Sequence, residues 1–208
     1  MTKQHSRLGH SPASLFVLST KSTGVVAAAA VGLAVAARPY GATLSHSGLL
    51  LSLGGLQCGW LGANLAISFL EAPVKFLAPT PARRSLIDVG RHVFSALNKV
   101  EVTLAAFDIL GWYLVTQRGL VAEGEGILNE FLGRGRWFRF IPGLIVYVFQ
   151  SFTFLPVMRN VGARYIEGQP TVESARTHVV YVALELIKVI ALGISTAGIA
   201  RTLVQKLQ

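Results

Sequence analysis

Acid is what this sequence lacks first. No Asp or Glu occurs in the first 70 residues, and only ten occur among all 208. Charged residues make up 14 % of the chain, where soluble domains average about 25 %. Apolar residues make up 52 %, and the mean hydropathy is +0.53. So little charge cannot cover that much apolar surface, which excludes an ordinary water-soluble domain. The single cysteine, Cys58, excludes a disulfide or a cysteine-based zinc site within one chain. No N-x-S/T sequon occurs, which argues against a glycosylated surface protein. No internal repeat and no nucleophile elbow is present. The EGEGIL stretch at Glu123–Leu128 has too few glycines for a dinucleotide fingerprint.

What is present is positive charge and long apolar runs. The net charge of +9 raises nucleic acid as a partner. The basic residues, however, sit in small groups between apolar runs, as charges flank membrane spans. They form no patch interleaved with aromatics, so no nucleic-acid partner is expected.

Four segments read as transmembrane helices, about 48–70, 100–116, 140–158 and 177–200. Each approaches the length needed to cross about 30 Å of hydrocarbon, and backbone polar groups in lipid are satisfied within a helix. The expectation is an all-α integral membrane bundle of four transmembrane helices. Residues 1–46 are basic, Ser-rich and free of acid, and read as an organellar transit leader or a disordered tail. Within them Ser22–Ala37 is uncharged but short and Ala-rich. It fits a leader or tail better than a fifth span. Pro73, Pro79 and Pro81 break the chain after the first span. Ser85, with Asp88 at capping-box spacing, is expected to start an amphipathic helix running into span two. A polar linker is expected over 117–136, and a turn at Gly168–Thr171. Lys and Arg number ten on one side of the four-span topology and eight on the other, too even to set an orientation.

Polar residues inside the spans fall at helical spacing. On the first span they are Gln57, Trp60, Asn64, Ser68, Glu71 and Lys75. On the second they are Asn98, Glu101, Asp108 and Trp112. On the third they are Tyr147, Gln150 and Ser151. On the fourth they are Ser174, His178, Tyr181, Glu185 and Lys188. Intervals of three and four place each set on one face, and such faces should meet each other rather than lipid. A charge at the bilayer centre costs about 2.5–3.5 kcal/mol on insertion scales. Glu185 and Lys188 are three apart and are expected to pair. Asp108 has no partner on its own helix. It must be protonated, reach a Tyr or Lys on another helix, or touch water.

The topology also gathers Glu71, Lys75, Arg91, His92, Asn98, Glu101, Arg159, Arg164, His178 and Glu185 at one mouth of the bundle. That mouth, with Asp108, Tyr181 and Lys188, is the candidate site. Interhelical glue, worth about 0.6 kcal/mol per contact, is weighed against a pathway or ligand site, the default for intramembrane ionisable groups. No metal or cofactor is expected. Haem ligation by His92 and His178 is the lesser alternative to structural hydrogen bonding. On the first span Ser52, Gly55, Gly59, Gly62 and Ala66 form a small-residue face containing a GxxxG motif. Packing within the monomer is favoured over a homodimer face.

The run Trp60–Phe76 (WLGANLAISFLEAPVKF) resembles a signature of small four-span membrane proteins of bacteria and some eukaryotes. VGRHVF at Val89–Phe94, LNKVE at Leu97–Glu101, Leu155–Pro156, GQP at Gly168–Pro170, Ser174 and HVVYVALELIK at His178–Lys188 complete the likeness over residues 56–195. The resemblance implies a four-helix membrane fold and no particular activity. The N-terminal leader falls outside it, which points to an organellar membrane such as the mitochondrial inner membrane. The first functional expectation is a non-enzymatic accessory, assembly or complex subunit, with lipid and other membrane subunits or a second copy as partners. The alternative is a small transporter or proton-coupled carrier using Asp108, Glu185 and Lys188.

Overall fold

The computed structural model describes residues 11–120, 141–169 and 173–207. Among them every element is a helix, so the all-α expectation holds. Helix α1 covers Pro12–Leu18 and α2 Thr20–Thr43. Helix α3 runs over His46–Leu77, α4 over Arg83–Gln117, α5 over residues 141–166 and α6 over Glu173–Leu207. The linker expected over 117–136 lies outside the described residues beyond 120, as do the Pro170–Thr171 part of the turn and the side chain of Ser174.

The N-terminal serines act locally. Ser11 caps α1, its Oγ accepting from Ser14 N–H at 3.2 Å. Ser19 caps α2, and Ser45 caps α3 through Gly48 N–H at 3.0 Å. A Ser cap satisfies a donor that the first turn leaves orphaned. Residues 12–43, read from sequence as a leader or tail, are therefore helical in this chain. Helix α2 is long and apolar enough to cross a membrane, as are stretches of α3, α5 and α6. Its alanines explain how it packs. Ala30 and Ala34 are buried against Ala106 of α4, where small side chains let two helices approach closely. Arg118 fastens the far end of α2 by donating to the carbonyls of Leu44 (2.6 Å), Gly41 (3.3 Å) and Ala42 (2.5 Å).

Helix α4 is the polar member of the bundle and also its centre, touching α1, α2, α3 and α5. Among the described residues four helices, α2, α3, α5 and α6, are long and apolar enough to span a membrane, the number expected, but α2 is one of them and α4, which holds the expected span 100–116, is not. Helix α4 starts at Arg83, two residues before Ser85, on Ala82, which offers no capping side chain. Pro81 fixes an extended approach, so the turn closes there and the expected Ser85 capping box does not form. The apolar stripe of α4 faces outward at Val89 and Val100, while Asn98, Glu101, Ala105, Asp108 and Trp112 are buried. Large apolar side chains such as Leu33, Ile145, Phe149, Ile187 and Ile194 also face outward. Glycines in the left-handed region end two helices: Gly119 (φ 62°) closes α4 and Gly168 (φ 82°) closes α5.

An apolar core lies at one end of the bundle, where Leu49, Leu50 and Leu53 of α3 meet Trp112 and Val115 of α4 and Ile199 of α6. A Cβ on Gly111 would stand 2.8 Å from Leu53 Cδ1 and 3.5 Å from Cγ, and Leu53 is itself buried. Gly111→Ala should therefore destabilise the bundle by about 1–3 kcal/mol, read by unfolding titration in mixed micelles. An unchanged midpoint would mean that Leu53 swings away without loss.

Candidate functional site

At the middle of the bundle the polar stripes of α3, α4, α5 and α6 converge on one lysine. Lys188 Nζ donates to Glu101 Oε1 at 2.6 Å and to Glu185 Oε1 at 3.0 Å. Lys188 and Glu185 are each 1 % exposed, so neither charge is relieved by water. Trp60 Nε1 donates to Glu101 Oε1 at 2.9 Å. Gln150 Nε2 donates to Glu185 Oε1 at 2.5 Å, and Ser68 Oγ to Glu185 Oε2 at 3.1 Å. Tyr147 closes one side, edge-on to Trp60 with its ring 6.0 Å from the ammonium. Its hydroxyl donates to Asn98 O at 3.3 Å. The neutral donors orient the carboxylates without cancelling their charge. Two carboxylates thus share one ammonium, and the second lacks a counter-charge that a proton or another cation would supply.

Two prolines set this geometry. Pro73 lacks the N–H that Phe69 O would accept, and Pro156 lacks the one for Phe152 O. Just before each, the helix widens to π form, over Leu65–Glu71 and Gln150–Phe154. There Ala72 N–H donates to Ile67 O, and Leu155 N–H to Gln150 O, five residues back. Such segments occur often at functional sites. Here they carry Ser68 and Gln150, two neutral donors to Glu185.

Glu185 also lines a cleft of about 250 Å³ that opens to the outside of the bundle between α3, α4 and α6. Ser68 and Tyr181 flank the carboxylate, and Phe69, Phe76 and Phe94 form the walls. His178 is exposed at its rim.

The mouth residues do not form one site. Glu71 and Lys75 pair with each other at 3.1 Å, and the Lys75 ammonium lies over the rings of Phe94 (5.4 Å) and Phe76 (5.7 Å). Arg91 donates to Asp88 at 3.1 Å and packs against Gly162. Arg164 is exposed. Helix α1 lies across this mouth. Lys99 Nζ donates to Val17 O at 2.7 Å and Thr23 Oγ1 at 3.2 Å, and Arg159 to Leu18 O and Thr20 Oγ1. Two buried cations thus grip the carbonyl end of α1, where acceptors are orphaned and the helix dipole is negative. His92 completes the contact. Its Nδ1 donates to Asp88 O at 2.9 Å, which leaves Nε2, 2.7 Å from Ser14 Oγ, as an acceptor. Both ring nitrogens of His92 thus have partners within the chain. Among the described residues no three of His, Cys, Asp and Glu converge as metal ligands.

Asp108 stands apart from Lys188. Its partner is Gln57, whose Nε2 donates to Oδ1 at 2.8 Å, and Thr196 Oγ1 donates back to Gln57 Oε1 at 3.4 Å. Of the outcomes expected for Asp108, the Tyr or Lys partner is not the one found: the side chain it meets is an amide. Gly55, Gly59 and Gly62 are exposed, and a Cβ on any of them would meet nothing within 4 Å. The small-residue face does not pack within the monomer, contrary to the favoured expectation.

No family model, curated protein or solved structure matches the chain. The site's chemistry therefore rests on its own geometry.

Lys99 is the site residue the sequence reading passed over. It sits one position beyond Asn98 on the buried stripe, and a lysine bordering a span usually snorkels to water. Its carbonyl partners come from a segment read as leader, which hid the pairing.

Proposed function

We propose that this chain is a multi-pass membrane protein that acts as a small proton-coupled carrier, with Glu185 as its working group. One observation carries the reading: two buried carboxylates share a single ammonium, and one of them borders an open cleft. A proton or cation entering the cleft supplies the missing counter-charge, and its loss restores competition between Glu101 and Glu185 for Lys188. Intramembrane ionisable groups arranged in this way are the expected parts of a proton or ion path.

The test is proton influx into proteoliposomes under a potassium diffusion potential, read by an internal pH dye. Wild-type protein should conduct above empty liposomes, and Glu185→Gln should lower the flux at least tenfold while eluting as wild type. Equal flux in wild type and variant would sink the carrier reading.

A second reading, an accessory or complex subunit, is favoured by the uncovered face of Gly55, Gly59 and Gly62. Close helix approach in lipid uses such faces. Gly59→Leu should leave monomer stability within about 0.5 kcal/mol, as surface changes do, yet lower the native mass in mild detergent. An unchanged mass would remove this reading.

A further inference from the structure

Beyond the proton, the cleft has the features of a site for an organic cation. Glu185, whose carboxylate shares the Lys188 ammonium with Glu101, is among its lining residues. Ser68 Oγ, 3.1 Å from Glu185 Oε2, adds an acceptor beside it. Phe69, Phe76, Phe94 and Tyr181 supply apolar and ring surface around that anion. The faces of two of these rings already carry an ammonium, because Lys75 Nζ lies 5.4 Å from the Phe94 centroid and 5.7 Å from that of Phe76. Ring faces attract cations through their quadrupole. The chain's own lysine thus shows that these two rings accept an ammonium. Lys75 is tied to Glu71, so the pair leaves no net charge to repel an incoming cation.

Other ligand classes fit less well. An anion would meet Glu185 directly. A bare metal ion asks for several oxygen or nitrogen ligands, and among the described residues no three of His, Cys, Asp and Glu come together. A volume of about 250 Å³ lies just below the range of drug-sized ligand sites, which limits the guest to a small head with a short tail.

We propose that the cleft ending on Glu185 binds a primary alkylammonium group, with its charge on the carboxylate and its tail among the phenylalanines. The proposal rests on the carrier reading and names the chemistry of what is carried. An ammonium has three donors, which suit Glu185 Oε2 and Ser68 Oγ together. Its charge completes the neutralisation of the two carboxylates, so amine and proton compete for one place.

The experiment is calorimetric titration of the full chain in phosphatidylcholine nanodiscs with n-butylammonium, and with butanol and butyrate as neutral and anionic controls. Saturable binding is expected for butylammonium alone. Glu185→Gln should weaken it at least tenfold and Phe94→Ala about threefold, the size of a modest cation–π contact. Val182→Trp, which fills the cleft wall without touching the charged network, should abolish it and covers the case in which Glu185→Gln fails to fold. Replacing part of the lipid with phosphatidylethanolamine separates the sources. Competition with butylammonium assigns the site to a lipid amine, and unchanged affinity assigns it to a soluble one. Equal binding of butanol, or no binding by folded protein whose proton flux still depends on Glu185, overturns the amine proposal alone. Absence of that flux overturns the carrier reading and the proposal with it.

Discussion

Lys188→Leu should lower the stability of the bundle by about 3–5 kcal/mol, the usual cost of stranding a buried charge. Removing the ammonium leaves Glu101 and Glu185 facing each other with neutral donors such as Trp60, Gln150 and Ser68. Polar contacts between membrane helices average only about 0.6 kcal/mol, because partners are also found in the unfolded state within the bilayer. That figure does not govern here, since the loss is of a shared counter-ion in a site 1 % exposed. A control fixes the cause. Adding Glu101→Gln and Glu185→Gln to Lys188→Leu should recover much of the loss, because amides strand no charge. Equilibrium unfolding in mixed micelles reads both. A loss under about 1 kcal/mol for the single variant, or no recovery in the triple, would show that Lys188 is not the counter-ion of the core.

The paired replacement Lys99→Met and Arg159→Met should free α1 while leaving the bundle folded. Hydrogen bonds from charged donors contribute about 1.5–3 kcal/mol each, and these two side chains hold the carbonyls of Val17 and Leu18 and the hydroxyls of Thr20 and Thr23. Losing even one such bond should speed amide exchange over residues 12–23 at least tenfold. Exchange in α3 and α6 should stay unchanged, because neither residue touches the Glu101–Lys188–Glu185 core. Unaltered exchange over 12–23 would mean that packing on α4, rather than the two cations, holds α1 in place.

The polar faces were legible because a charged or amide side chain inside an apolar helix is conspicuous, and intervals of three and four then fix its direction. Gln57, Trp60 and Asn64, then Asn98, Glu101 and Asp108, and Tyr181, Glu185 and Lys188 are all buried as that rule requires. The Lys188–Glu185 pair was readable as a local contact. The shorter contact to Glu101 was not, because it depends on how two helices far apart in sequence register against each other. The same limit hid the amide partner of Asp108. Helix α2 escaped because its uncharged stretch, Ser22–Ala37, is short between Lys21 and Arg38, and its burial comes from close approach to Ala106 rather than from large side chains. Pro73 signalled a break, yet neither it nor Pro156 signalled that the helix before it would widen and deliver a donor to Glu185.

The dependence of Glu101 on Lys188 has a consequence in time. The two residues lie 87 positions apart, and chains grow at about 5–20 residues per second. Once made, Glu101 waits about 4–17 s for its counter-ion to be synthesised at that rate. Through that interval α3 is already complete, and Trp60 and Gln57 are present to receive Glu101 and Asp108. Trp60 is thus a placeholder as well as a member of the finished network. A nascent chain stalled before α6 holds two carboxylates in its centre with neutral donors alone, a state the membrane can expel and a quality-control protease can recognise.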